Sequence, residues 1–87
     1  MKIKNGFVIK KIANDWVVIP SGQMMVDFKA MVNLNETGAF LWENMKEDIT
    51  KEELAERLTK EYDVDLNTAM EDITEFTELL ESKGIIE

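Results

Sequence analysis

The spacing of apolar residues changes once along the chain, near residue 34. Before it they fall in short runs rich in β-branched and aromatic side chains; after it they recur every three or four positions. "FVIKKI" (Phe7 to Ile12) and "WVVIP" (Trp16 to Pro20) predict two strands. Between them "AND" supplies Asn14 and Asp15 as turn formers, so the two read as a hairpin. "PSGQ" interrupts the pattern. "MMVDF" (Met24 to Phe28) is a candidate short strand, and "MVNL" (Met31 to Leu34) is another. Residues 24–34 fit either one bent strand or two short ones.

Three helices are predicted next, each with a start signal. Asn35 is a good N-cap with Glu36 in the first turn, where the helix dipole favours an acid. This helix runs to about Met45, burying Ala39, Leu41, Trp42 and Met45, with Phe40 at the margin. Gly38 costs up to about 1 kcal/mol inside a helix, which predicts close packing against the sheet. "ITKEEL" carries a capping box, Thr50 with Glu53 three residues on, and a hydrophobic staple from Ile49 to Leu54. Leu54, Ala55, Leu58 and Tyr62 share one face of the second helix. Asp65 caps the third, whose core stripe reads Leu66, Ala69, Met70, Ile73, Phe76 and Leu80. Lys83 and Gly84 signal its end, and "IIE" is an apolar tail expected to fold back.

The prediction is a winged-helix-like α+β domain, with a small N-terminal antiparallel sheet of about three strands and three helices after it. Its 87 residues predict one domain spanning 1–87. So small a chain buries only about 60% of its unfolded surface. With no cysteine it has no disulfide staple, so it depends on the 45% of residues that are apolar, and on any partner. The absence of cysteine fits a cytoplasmic location. The lysines in "MKIKNGFVIKKIA" break any signal-peptide core, and no apolar run approaches membrane-spanning length.

Charge narrows the function. Residues 1–34 carry five lysines against Asp15 and Asp27, a balance of +3; residues 35–87 stand at −11, giving −8 in all. A helix-turn-helix order suggests DNA. Yet the third helix would carry Asp65, Glu71, Asp72, Glu75, Glu78 and Glu81 against Lys83 alone. Phosphate neutralisation by Lys and Arg supplies much of DNA affinity, so this helix would be repelled and no nucleic-acid partner is expected. Most of the acids fit plain solvated helix faces.

Catalytic chemistry is sparse. Without histidine or cysteine, the commonest general base, thiol nucleophile and zinc ligands are missing. Glu71, Asp72 and Glu75 could meet on a helix surface, but they lack the glycine-turned loop of calcium sites. "SGQ" and "ETG" hold isolated glycines and make no phosphate loop. No enzyme activity, metal or cofactor is expected.

Two features suggest binding. The strand Met31 to Leu34 has no proline or charge, and an unprotected edge strand pairs with other chains. It fits an ordinary internal strand equally well. A proline at Val32 would block it if the Val32 amide faces outward. On the third helix, Leu79 lies roughly 110° from the stripe centre near Ile73, with Phe76 between and Asp72 and Lys83 on the same flank. Leu79 is either a lone exposed leucine or one wall of a groove. An edge beside an apolar helix flank suits an extended peptide, held by main-chain hydrogen bonds and side-chain pockets.

"LNETGAFLWENM", then "TKEELAERLTKEYDVD", then the ending "ESKGIIE" resemble the PqqD family over Phe7 to Glu87. The most specific part is the strand-to-helix segment "LNETGAFLW". The stretch "SGQMMVDFKA" is longer than in compact members. The resemblance implies a peptide chaperone, a recognition element for ribosomally made, post-translationally modified peptides. Such a domain binds the leader of a precursor peptide and presents it to a modifying enzyme, often a radical S-adenosylmethionine protein. In the prototype the product is pyrroloquinoline quinone. The leader would add along Met31, Val32, Asn33 and Leu34 and pack on Asp72, Phe76, Leu79 and Lys83. The alternative is a protein–protein or regulatory module that dimerises through the same edge strand.

Overall fold

The computed structural model describes residues 1–21 and 32–87. The hairpin forms as predicted. β1 (Phe7–Ile12) and β2 (Asp15–Pro20) pair antiparallel, closing at Ile12 opposite Asp15. Two residues, Ala13 and Asn14, make the turn, and Ala13 takes a left-handed φ of 58°. Such short turns need a positive φ so that their twist matches that of the strands. β3 (Asn33–Leu34) pairs antiparallel with the other side of β2, giving the order β1-β2-β3. The expected strand at Met24–Phe28, and Met31, lie outside the described residues.

Alternation along the strands sorts the two faces of the sheet. Phe7, Val18 and Leu34 are buried on the face toward the helices, whereas Val8 and Ile12 point away and are exposed. One residue, Asn35, separates β3 from α1 (Glu36–Asn44). Its side chain accepts a hydrogen bond from the Gly38 N–H at 2.8 Å, satisfying a donor that the first helical turn leaves free. α2 (Lys51–Glu61) has both halves of its capping box: Glu53 N–H donates to Thr50 Oγ1 at 3.1 Å, and Thr50 N–H donates to Glu53 Oε1 at 3.2 Å. α3 (Leu66–Ser82) starts at Asp65, whose carboxylate accepts from the Thr68 N–H at 2.8 Å. That bond holds the Asp65 carboxyl below its ordinary pKa.

The core lies between the sheet and the helices. Trp42, Met45, Leu54, Leu58, Ile73, Leu80 and Ile85 are almost wholly removed from water. Each aliphatic side chain buried this way contributes about 1.5–3 kcal/mol. Two expectations for α3 are corrected. Leu66 is 55% exposed; it is the first residue of the helix, and burial begins only at Ala69. Thr77, absent from the predicted stripe, is buried; its hydroxyl donates to the Thr74 carbonyl at 3.1 Å and so goes into the core satisfied.

The end of α3 is a Schellman motif. Gly84 takes φ 71°, its N–H donates to the Glu81 carbonyl, and Ile85 N–H donates to the Leu80 carbonyl at 2.9 Å. Ile85 and Leu80, the pair that this motif brings into contact, are both fully buried. The tail therefore folds back, and Ile86 bridges to Ile3. Among the described residues no helix is long and apolar enough to cross a membrane.

Candidate functional site

The two-residue turn sets the phase of the whole sheet. In such a hairpin the closing residues exchange hydrogen bonds, and every second pair does the same. Ile12 with Asp15 and Lys10 with Val17 therefore turn their backbone groups toward each other. The intervening β2 residues, Trp16 and Val18, turn theirs toward β3. The Val18 N–H donates to the Val32 carbonyl at 2.9 Å, which fixes Val32 and, two residues on, Leu34 as facing β2. Asn33, between them, directs its N–H and C=O away from the sheet. β3 is an end strand in the sheet order, so among the described residues no strand covers that edge.

Beside this edge runs a groove between α1 and α3. Asn35, Thr37, Gly38 and Leu41 line one side, and Asp72, Glu75, Phe76 and Leu79 the other. Gly38 makes the close approach possible. A Cβ there would lie 3.2 Å from Leu34 Cβ, tighter than ordinary contact, and 3.5 Å from Phe76 Cε1, an ordinary contact, so the absent methyl relieves the approach of β3 to α1. This is the packing role that the helical glycine predicted.

The wall on α3 is a single stripe. Asp72, Glu75, Phe76 and Leu79 stand at i, i+3, i+4 and i+7, neighbours on one helix face. Leu79 is 40% exposed and Phe76 half-buried. Asp72 and Glu75 are exposed, and among the described residues neither is ion-paired. Behind the groove, Phe40 and Tyr62 meet edge to face with centroids 5.6 Å apart. Burial, then the nearby carboxylates of Glu36 and Glu61, push the Tyr62 phenol above its ordinary pKa.

The structure thus brings Asp72, Phe76 and Leu79 to one groove and sets it against the strand end at Leu34. Lys83 is the exposed C-cap of α3, one turn beyond Leu79, and does not line the groove. Val32 and Leu34 are buried, so their side chains belong to the core, while the Asn33 side chain is exposed. Met31 lies outside the described residues. The proposed blocking site at Val32 is corrected: its carbonyl is bonded to β2, and the outward position is Asn33. Thr37, Leu41 and Glu75 were not anticipated. Leu41 and Glu75 lie more than 30 positions apart, and no local period links them.

Comparisons with known proteins bear on the family and the fold. A solved chain described as "TbiB1 in Complex with the TbiA(beta) Leader Peptide" is 26% identical, with a TM-score of 0.77. The match covers 100% of this chain and 95% of that one. No curated protein sequence matches. The family model for coenzyme PQQ synthesis protein D matches residues 16–86, from the middle of the hairpin to the folded-back tail, and so takes in β3, the groove and all three helices; the chain belongs to the PqqD family.

Proposed function

We propose that this chain binds the leader of a ribosomally made precursor peptide by strand addition to β3 and presents it to a separate modifying enzyme. The observation that carries this reading is the open edge at Asn33, next to a groove with an apolar end at Phe76 and Leu79. Main-chain bonds to the edge supply affinity, and the groove takes alternate side chains. The similar chain solved with a leader peptide supports it. The sequence has neither histidine nor cysteine, which favours an adaptor with no catalysis of its own. The modification would then fall to the partner enzyme, in the cytoplasm; the resemblance makes a radical S-adenosylmethionine protein the first candidate.

Asn33→Pro tests this directly. Proline removes the outward N–H without touching the groove. Titration with the leader encoded beside this chain's gene should show at least about a tenfold loss of affinity, a difference of about 1.4 kcal/mol. The helical circular dichroism should be unchanged. Full affinity in the variant would sink strand addition at β3.

A second reading, self-association, has one observation in its favour. Among the described residues β1 is also an end strand, six residues long, with Val8 and Ile12 exposed. Light scattering separates the two readings: a tight dimer without peptide affinity favours the second.

A further inference from the structure

We propose that the leader recognised here carries an apolar side chain and a lysine or arginine two residues apart. This rests on the reading that a leader adds to β3 and lies along α3. The argument is one of spacing and charge.

The α3 stripe has two ends of different chemistry. Asp72 and Glu75 form an acidic end, and Phe76 and Leu79 an apolar end. The midpoints of these two pairs are four residues apart. At 1.5 Å of rise per residue that is about 6 Å along the helix axis. Side chains on one face of a strand recur every second residue, at about 6.6–6.8 Å. An extended peptide along the groove therefore places one side chain over the apolar end and another, two residues away on the same face, over the acidic end.

The groove's own composition then decides the charge at the second position. Its opposite side offers Asn35 and Thr37, both neutral, and among the described residues no cation lines it. The Asn35 side-chain Oδ1 already accepts from the Gly38 N–H. Lys83, the nearest cation in sequence on α3, lies past the apolar end as the C-cap. A peptide acid at this position would face two carboxylates with no offset. An amino or guanidinium group would gain charge-assisted hydrogen bonds to both. The net charge of −8 favours approach of a basic segment as well.

The test is selection from a phage-displayed library of random twelve-residue peptides on the full chain. The same library is panned on Asn33→Pro and on the double variant Asp72→Lys/Glu75→Lys. The expected result is enrichment of peptides with an apolar residue and Lys or Arg two positions away, in either order. Replacing that basic residue by glutamine in a synthetic peptide should weaken binding about three- to tenfold. The double variant should select Asp or Glu at the same spacing and keep the apolar residue. Peptides that depend on Asn33 but show no basic preference, or an unchanged preference in the double variant, would overturn this proposal and leave the peptide-binding reading intact. Peptides that bind Asn33→Pro equally well, or no enrichment at all, would overturn both.

Discussion

Gly84 and Ala13 are two residues with the same left-handed backbone and opposite fitness for it. At Gly84, φ is 71° and a Cβ would meet nothing within 4 Å, so the demand is purely conformational. Gly84→Ala should cost about 1–2 kcal/mol. For a domain this size, each kcal/mol lowers Tm by about 4–8 °C. A thermal melt checks it, and peptide affinity of the folded variant should hold because Gly84 is not in the groove. Ala13 sits at φ 58° with a Cβ it would be better without. Ala13→Gly relieves that strain but frees the unfolded chain, so the net gain is up to about 1 kcal/mol. A lower midpoint in denaturant for Ala13→Gly would contradict this account of the turn. Only the first of these residues announced itself in the sequence, as a glycine after a lysine at a helix end. A left-handed alanine carries no such sign.

Among the elements, the helices were readable because each start is written locally. In α2 the Thr50–Glu53 box and the buried Ile49 and Leu54 all lie within six residues, so spacing alone reveals them. Thr50→Ala removes one half of that box and should destabilise by about 1 kcal/mol, measured by chemical unfolding. The strands were less readable. Their existence followed from composition, but the outward phase of β3 did not. That phase depends on a turn of two residues at Ala13 and Asn14, passed through β2, which lies between the turn and β3. A turn one residue longer would reverse it. This is why a blocking proline at Val32 could be proposed only on the condition that its amide faces outward. Leu66 misled for another reason: helical spacing identifies a stripe but not where the partner helix begins to cover it.

At the scale of the molecule, charge asymmetry and missing chemistry were legible from counting, and they removed DNA binding and most catalysis as expectations. Of the groove only the wall on α3 was legible, at Asp72, Phe76 and Leu79; the facing wall at residues 35–41 was not, because it depends on the way α1 and α3 pack. Gly38 sits where the strand edge and the helix wall come together, and this has a kinetic consequence. A methyl placed on Gly38 would lie 3.2 Å from Leu34 Cβ and 3.5 Å from Phe76 Cε1, so the strand edge and the helix wall border the same small space. Interiors this closely packed pass small shifts between neighbours. A ligand that moves the Phe76 ring should move β3 in the same event. In relaxation-dispersion measurements at partial saturation, the Asn33 amide and the Phe76 ring should report one common exchange rate. Two separable rates would mean that edge and wall engage the ligand in successive steps.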